Sequence, residues 1–322
     1  RLLNGTTDLH IELEHRLACF LNKEAALLFT TGFQVNLGVI PSITQPNDII
    51  ILDRLNHASI IEGARLSKAP YVMFKHNDMI SLEQKLQQSA DAEMRLIVVD
   101  GVFSMEGDLA DLKGITQLAK QYNAVVMSDC AHAIGVIGEY GAGAASHFDV
   151  EDQVDLIGGT FSKSLASIGG FIASDAHTVE YIKHNSRSLV FSASPTPASV
   201  AAALASLDII ESDDSLRLQL LKNTEYAIAA FNSLGFDTGK TETPIIPLFI
   251  KDDKKTHEMA MLLLEKGIFV NSIAAPAVSR KNSMIRFSLM ATHTREQIDL
   301  AIDTIYQCAK KLEVPLSIEA HQ

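Results

Sequence analysis

The sequence predicts an α/β fold, with a mostly parallel central sheet in a large domain and a smaller C-terminal α+β domain. From Ala25 to about residue 174, short β-rich runs alternate with helical stretches, a pattern typical of βαβ crossovers and a parallel sheet. From about Asp213 onward, longer helices are separated by short strands. A chain of 322 residues is long enough for two domains. We therefore predict a large domain at residues 1–211 and a small domain at residues 212–322.

The strands of the large domain are predicted from apolar, β-rich runs. Leu96–Val99, Val125–Met127 and Asp155–Ile157 are apolar enough to be neighbouring central strands of a sheet that is covered on both faces. The complete predicted strands are Ala26–Phe29, Asp48–Asp53, Tyr71–Lys75, Arg95–Phe103, Ala124–Ala131, Val154–Phe161 and Gly169–Ser174. The predicted helices of this domain are Ser59–Ser67, Ser81–Gln88, Leu112–Gln121 and, after two prolines, Ala198–Ile210.

The small domain is predicted from alternating helical and extended patterns that follow residue 212. Its predicted helices are Leu216–Phe231, Thr256–Lys266 and Thr294–Leu312, and its predicted strands are Ile245–Ile250, Ile268–Asn271 and Met284–Leu289. Because no low-complexity linker precedes these elements, we expect the two domains to pack closely.

Composition excludes several classes of protein. The formal net charge of −12 disfavours a general nucleic-acid binder, which needs a basic surface. Cys19, Cys130 and Cys308 follow no metal-ligand spacing, and so few cysteines are typical of a reduced, cytoplasmic protein. The apolar runs are far shorter than the roughly 20 residues of a membrane helix. We expect a cytoplasmic protein without a metal site or a transmembrane segment.

Lys163 is the most informative candidate for chemistry. It follows an apolar predicted strand and lies between small hydroxyl residues, Ser162 and Ser164. At such a position we expect partial desolvation, which lowers the pKa of an amine and favours imine formation. A lysine taken alone is usually a solvated surface charge, so this interpretation depends on the neighbouring motifs.

A second motif ends the preceding predicted strand with Asp129 and, three residues later, His132. In an open α/β sheet, ligands bind at the carboxyl ends of strands, where both residues are expected to lie. A carboxylate that faces a pyridine nitrogen stabilises the protonated ring as an electron sink. The alternative is a helix-capping aspartate followed by a packed histidine. Cys130 between them is interpreted as a small buried neighbour.

Further candidates follow other predicted strands. Gly32 and Phe33 open a helix, where backbone amides can bind a phosphate, and Thr160 can add a hydroxyl. His57 can stack on an aromatic ring or can simply cap a helix. Ser104 follows a central strand and equally suits an ordinary turn. Arg286 lies in an apolar strand, where its burial calls for a carboxylate from the protein or from a substrate.

These motifs resemble a known enzyme family. Asp129–His132, Gly159–Lys163 and Phe103–Asp108 occur in the order and spacing of fold-type I pyridoxal-phosphate enzymes, and within them of the α-oxoamine synthases. The resemblance extends from Leu3 to the final predicted helix. It implies an aspartate aminotransferase-like fold, pyridoxal 5'-phosphate as cofactor, and a homodimer with shared active sites.

The resemblance also assigns roles to matching residues. It implies that Lys163 carries the cofactor as a Schiff base and removes the α-proton of the substrate, while Asp129 faces the pyridine nitrogen. The remaining implied roles are His132 and Ser104 near the phenolic oxygen, His57 on the ring and at the substrate carboxylate, Gly32, Phe33 and Thr160 near the phosphate, Arg286 at a substrate carboxylate, and Ser192 and Ser194 in a segment that reaches the partner's cofactor site.

The implied reaction depends on finer similarities. Gly159–Gly170, Phe191–Pro197 and Arg286–His293 are similar to segments of the family members that use L-serine and a long-chain acyl-CoA (palmitoyl-CoA). Such enzymes form a 3-keto sphingoid base (3-ketodihydrosphingosine), CoA and CO2 by decarboxylative condensation, the first step of sphingolipid biosynthesis. The resemblance further implies a segment before Leu3, which this chain does not carry, and peripheral membrane contact for product release.

Three alternatives stay open at this point. The first is a sibling synthase of the 8-amino-7-oxononanoate synthase or glycine C-acetyltransferase type, which uses alanine or glycine. The second is another fold-type I reaction such as transamination. The third is a non-catalytic partner subunit, against which the presence of Lys163, Asp129 and His132 argues.

Overall fold

The structure, a computed structural model, describes Arg1 and residues 3–317. Leu2 and residues 318–322, with which the predicted small domain ends, lie outside the described residues. The chain forms two compact units. The first unit comprises Arg1–Phe103 and Leu109–Asp214, and the second comprises Ser104–Asp108 and the chain from Ser215 onward.

A mostly parallel sheet forms the centre of the first unit. Its strands are β1 (Ala25–Phe29), β2 (Ile49–Asp53), β3 (Tyr71–Phe74), β4 (Arg95–Asp100), β5 (Val125–Asp129), β6 (Leu156–Thr160) and β7 (Gly170–Ser174), in the order β1-β7-β6-β5-β4-β2-β3. β7 runs antiparallel to β1 and β6, while the other pairs are parallel. The predicted mostly parallel sheet is confirmed, and β4, β5 and β6 are neighbouring central strands as expected.

Helices cover this sheet and connect its strands. In chain order they are α1 (Asp8–Phe20), α2 (Gly32–Ile43), α3 (Ala58–Leu66), α4 (Met79–Gln88), α5 (Leu112–Tyr122), α6 (Ala144–His147), α7 (Ala176–Asn185), α8 (Arg187–Val190) and α9 (Pro197–Ser212). Side chains start several of them: Asp78, Asp111 and Thr196 each accept a hydrogen bond from an N–H group of the first helical turn. Such caps fix where each helix begins.

The core of the first unit lies between the sheet and α2 and α3. Val39 and Ile40 of α2 and Ile60 of α3 are fully buried against strand residues that include Leu52 and Leu96. This packing explains why the central strands are continuously apolar: both faces of the sheet are covered, so alternation with polar residues is lost.

The second unit has a small antiparallel sheet packed on helices. Its elements are α10 (Ser215–Ser233), β8 (Ile245–Phe249), α11 (Asp253–Glu265), β9 (Asn271–Ile273), β10 (Met284–Ser288) and α12 (Arg295–Lys311), with the strand order β8-β10-β9. Phe231 packs edge-to-face on Phe236 and Phe287, at ring-centroid distances of 5.5 and 5.3 Å. The predicted α+β architecture is confirmed.

Some element predictions differ from the structure. The strand predicted at Ile268–Asn271 begins only at Asn271. The reason is that the N–H of Ile268 donates to Leu263 O, so this apolar residue completes the end of α11. The strands predicted to reach Phe103 and Ala131 end at Asp100 and Asp129.

None of the described helices combines the length and the apolar composition that a membrane span requires.

The segment Ser104–Asp108 belongs to the second unit although it follows β4 in the chain. The carbonyl oxygen of Gly107 accepts hydrogen bonds from the hydroxyls of Thr241 and Thr243, at 3.1 and 2.8 Å. Gly107 has a φ of +70°, and a Cβ atom there would lie 2.0 Å from the carbonyl oxygen of Ile245. A side chain at this position is therefore excluded by both conformation and space.

We predict that Gly107→Ala lowers the free energy of unfolding by more than Gly267→Ala does. Both glycines have positive φ, but a Cβ at Gly267 would meet nothing within 4 Å. The control should cost about 1–2 kcal/mol for the left-handed conformation alone, and Gly107→Ala about 1–3 kcal/mol more for the clash. Urea unfolding followed by fluorescence and circular dichroism measures both. Equal losses would contradict the close approach of Gly107 to β8.

Candidate active site

The carboxyl ends of the central strands bring several predicted residues to one edge of the sheet. Asp100 at the end of β4 is paired in register with Asp129 at the end of β5, and Asp129 with Gly158 of β6. Thr160 ends β6, two residues further on. Because β4, β5 and β6 are parallel, Asp129 and Thr160 lie at the same edge, where open α/β sheets bind ligands.

The first turn of α2 lies against this edge. A Cβ on Gly32 would lie 2.7 Å from Cβ of Thr160, and a Cβ on Gly170 would lie 2.7 Å from the backbone nitrogen of Gly32. The hydroxyl of Thr31 accepts a hydrogen bond from Gln34 N at 3.2 Å and so caps the helix. The first turn of a helix leaves N–H groups without partners inside the helix, so this end of α2 favours an anion beside Thr160.

Asp129 is a buried carboxylate with two defined hydrogen-bond donors. Asp129 is only 8% exposed. Oδ2 accepts a hydrogen bond from Nδ2 of Asn36 at 2.7 Å, and Oδ1 accepts one from the backbone of Ala131 at 3.0 Å. Each carboxylate oxygen can accept more than one hydrogen bond, so Asp129 can still accept from a protonated ring nitrogen.

His57 is held by its backbone, while its ring is exposed. The N–H of His57 donates to Oδ2 of Asp100 at 2.7 Å. The side chain of the neighbouring Asn56 makes two hydrogen bonds to the backbone of β4. Its Oδ1 accepts from Asp100 N at 3.1 Å, and its Nδ2 donates to Val98 O at 2.7 Å. The His57 ring lies 6.5 Å from the ring of Phe33 and nearly perpendicular to it. The structure thus brings together two residues that the sequence assigned to a cofactor site.

Lys163 lies in the loop between β6 and β7 and is exposed in this chain. The expected partial burial of its amine is therefore wrong for the isolated chain. The reason is local: Phe161 and Leu165 occupy the buried positions on either side of it. The loop itself is anchored, because the hydroxyl of Ser164 donates to Ile134 O and that of Ser167 to Ser199 O.

His132 and the two serines after α8 are also placed by the structure. His132 is half-buried in the turn that follows β5. Oγ of Ser192 accepts from Nε2 of Gln34 at 3.1 Å, and Oγ of Ser194 lies 3.0 Å from Nε2 of His10. Both serine side chains thus have partners within the first unit, one in α2 and one in α1.

Ser104 and Arg286 are brought together in the second unit. Nε of Arg286 donates to the carbonyl oxygen of Ser104 at 2.7 Å, and a second guanidinium nitrogen donates to Ser288 Oγ at 2.7 Å. Burial lowers the pKa of the Arg286 guanidinium below its ordinary value. Among the ion pairs of the described residues, Arg286 has no carboxylate partner. A half-buried cation of this kind is suited to bind a substrate carboxylate.

Sequence reasoning missed three residues that hold the site in place. Asn36 binds Asp129, Asn56 positions His57, and Ser164 anchors the loop of Lys163. Asn36 and Asn56 are both buried, at 1% and 8% exposure. For the two asparagines, the available signal was an amide within or next to an otherwise apolar run, because a buried amide needs hydrogen-bond partners.

The sequence matches the family described as aminotransferase class I and II over residues 1–305. The chain belongs to this family. It is 52% identical over 314 residues to a serine palmitoyltransferase of Sphingobacterium spiritivorum, which covers 98% of this chain and 79% of that protein. It is 44% identical to an 8-amino-7-oxononanoate synthase of Thermosipho melanesiensis, over 98% of this chain and 80% of that protein.

A solved structure shares the fold over nearly the whole chain. A serine palmitoyltransferase from S. paucimobilis, with a bound PLP–myriocin aldimine, superposes with a TM-score of 0.95 at 32% identity. The match covers 98% of this chain and 80% of that one. The aminotransferase-type fold and the enzyme class expected from the sequence motifs are confirmed by these relatives.

We predict that Cys130 does not react with thiol reagents in the native protein, although it adjoins Asp129. Burial raises the pKa of the Cys130 thiol to about 11, so the reactive thiolate is scarce at pH 8. Cys19 is exposed and should react first with DTNB, while Cys130 should react only after unfolding or as the pH approaches 11. Mass spectrometry of the labelled peptides checks this. Fast native labelling of Cys130 would contradict its interpretation as a packing residue.

Proposed function

We propose that this protein uses pyridoxal 5'-phosphate to condense L-serine with a long-chain acyl-CoA such as palmitoyl-CoA. The products are 3-ketodihydrosphingosine, CoA and CO2, and the reaction is the first step of sphingolipid biosynthesis. One observation carries the proposal: the first turn of α2, which suits an anion, and the buried carboxylate of Asp129 lie at the same edge of the sheet. Thr160 ends a strand at this edge, and Lys163 follows Thr160 by three residues. The choice of serine is supported by the identity of 52% to the serine palmitoyltransferase of Sphingobacterium spiritivorum, against 44% to the 8-amino-7-oxononanoate synthase of Thermosipho melanesiensis.

The residues present fit this cofactor. Gly32 and Gly170 allow the first turn of α2 to approach Thr160 and the start of β7 closely, which places helix N–H groups at the strand end where a phosphate group would bind. Asp129 is a buried hydrogen-bond acceptor at the adjacent strand end, which suits the protonated pyridine nitrogen. When bound, the cofactor withdraws electrons from the bonds of the substrate's α-carbon.

We assign the remaining roles as follows. Nζ of Lys163 holds the cofactor and then takes the α-proton of serine. The ring of His57 stacks on the cofactor and donates to the serine carboxylate. His132 and Ser104 lie near the phenolic oxygen, Phe33 joins Gly32 and Thr160 at the phosphate, and Arg286 binds a substrate carboxylate.

The reaction balances without an oxidant. Lys163 removes the proton from the α-carbon of serine, and a carbon–carbon bond forms between that α-carbon and the thioester carbonyl carbon. The thiolate of CoA leaves. The bond from the α-carbon to the carboxylate then breaks, CO2 departs, and a proton is returned to the α-carbon. In this proposal His57 donates a hydrogen bond to the serine carboxylate, and Arg286 is assigned separately to a substrate carboxylate during the cycle.

A sibling activity is the second candidate, because a relative at 44% identity is an 8-amino-7-oxononanoate synthase. Such an enzyme would use the same cofactor residues with alanine or glycine and another acyl-CoA. The two candidates differ in the amino acid bound, so a direct comparison of amino acids separates them.

We also propose a cytoplasmic homodimer with shared active sites that meets the membrane peripherally to release its product. Three exposed apolar side chains lie in segments next to site residues: Phe33, Ile168 and Phe191, the last of them 72% exposed. Exposed apolar residues grouped near a functional site are typical of an interface. On this basis Ser192 and Ser194 belong to the segment that reaches the partner's cofactor. Sedimentation of the purified protein measures its mass in solution and so separates a dimer from a monomer.

We expect CoA release from palmitoyl-CoA with L-serine, at least about tenfold faster than with alanine or glycine, when turnover is followed with a thiol reagent. Serine should also shift the visible absorbance of the bound cofactor. Lys163→Ala should abolish both the turnover and the imine absorbance, because no other residue is proposed to hold the cofactor or to take the α-proton.

The matched control is Lys183→Ala, which removes an exposed lysine of α7 that pairs with Glu180 on the surface. It should keep full turnover. Preference for alanine or glycine would favour the sibling synthase, keto-acid formation without CoA release would favour transamination, and a protein that stays colourless with added cofactor would indicate a non-catalytic subunit. Normal turnover in Lys163→Ala would refute the proposed mechanism.

A further inference from the structure

One buried side-chain amide, that of Asn36, links two residues of the proposed cofactor site, Asp129 and His57, through hydrogen bonds. Nδ2 of Asn36 donates to Oδ2 of Asp129 at 2.7 Å and to Oγ of Ser59 at 2.9 Å. Asn36 and Ser59 are each 1% exposed. Ser59 in turn lies 2.7 Å from Nδ1 of His57. A continuous chain of hydrogen bonds therefore runs from the carboxylate of Asp129 to the ring of His57.

The direction of each hydrogen bond in this chain follows from its chemistry. An ionised carboxylate only accepts, so the amide nitrogen of Asn36, and not its oxygen, faces Asp129. The two hydrogens of Nδ2 are then both used. Oδ1 of Asn36 is buried without a hydrogen-bond partner among the described residues. A buried carbonyl left unpaired costs free energy, so this position serves its two donors at the expense of its acceptor.

The same reasoning fixes the proton of His57. The oxygen of Ser59 accepts from Asn36, so its own hydrogen is directed to Nδ1 of His57. The backbone N–H of Ser59 also points to Nδ1, at 3.2 Å. Two donors converge on Nδ1, which must accept, and the ring hydrogen of neutral His57 is therefore on Nε2.

We infer that Asn36 is a positioning residue that sets both groups at once. It holds the carboxylate of Asp129 in a fixed orientation, and through Ser59 it selects the His57 tautomer whose Nε2–H can donate to a substrate carboxylate. The part that concerns Asp129 and the cofactor rests on the proposed function. The tautomer of His57 does not, because it follows from contacts within the protein.

The test uses the full chain labelled with 15N-histidine, with and without pyridoxal phosphate. In two-dimensional NMR spectra, the 15N shifts of the two ring nitrogens are far apart for a single tautomer and closer together for a mixture. The signal that is lost in His57→Gln identifies His57 among the 11 histidines. We expect Nε2–H alone in the natural sequence. Ser59→Ala removes the hydroxyl donor, and Asn36→Leu removes the amide that directs this hydroxyl. Both variants should therefore gain a measurable Nδ1–H fraction, which the retained backbone N–H of Ser59 keeps below full conversion.

Cofactor binding separates the two variants. Asn36→Leu removes the donor to Asp129 and should raise the dissociation constant of pyridoxal phosphate on the order of tenfold, as for loss of a hydrogen bond to a charged group. Ser59→Ala keeps that donor and should change the constant by less than about threefold. Asn223→Leu is the matched control: Asn223 is a buried asparagine of α10 that donates to His293 O, and its replacement should move neither readout.

Three results would overturn the inference. They are Nδ1–H as the tautomer of the natural protein, an unchanged tautomer in Ser59→Ala, and natural cofactor affinity in a folded Asn36→Leu. If Asn36→Leu does not fold, the first two measurements still decide the tautomer. Failure of the proposed function is distinct, since it would appear as absent CoA release while the tautomer of His57 stayed as inferred.

Discussion

The close approach of α2 to the sheet is the constraint on which the rest of the site depends. The first turn of this helix meets the start of β7 because neither Gly32 nor Gly170 has a side chain, and it meets Thr160 at the end of β6. Residues four apart share one face of a helix, so Asn36 follows Gly32 on the side that faces the sheet. The contact that places the N-terminal end of α2 beside Thr160 therefore also brings an amide to Asp129.

A second close approach extends this arrangement to His57. A Cβ on Gly63 of α3 would lie 2.5 Å from the carbonyl oxygen of Asn36, so α3 can pack directly on the backbone of α2. Ser59 is four residues before Gly63 and lies on the same face of α3, where it reaches the Asn36 amide. Two helices that touch through glycine thus place one buried polar group between them. Because that group is surrounded by apolar packing, its hydrogen bonds are strong and their loss is costly.

Much of this fold is predictable from the sequence, and the exceptions have physical causes. The sequence predicts β4, β5 and β6 because strands that are covered on both faces are continuously apolar. It also indicates Asp129 and Thr160, because these residues end two of those strands. Asn36 gives no comparable signal, since one polar residue within a helix is ordinary until its tertiary partners are known. The same holds for Ser104: it follows a strand of the first unit in the sequence, but it belongs to the second unit together with its partner Arg286.

The exposed Lys163 lies in a loop that is anchored on both sides of it. Fixing the rotamers of a lysine costs conformational entropy, and burial of the isolated ammonium would add a desolvation cost. Here the backbone around the lysine is fixed instead: Ser164 bonds the turn after β5, Ser167 bonds α9, and Leu165 O accepts from Ser206 of the same helix. The backbone at the attachment point of the Lys163 side chain is thereby held in place. In the mechanism proposed above, this anchored backbone would keep the attachment point of the amine constant while Lys163 serves first as cofactor anchor and then as proton acceptor.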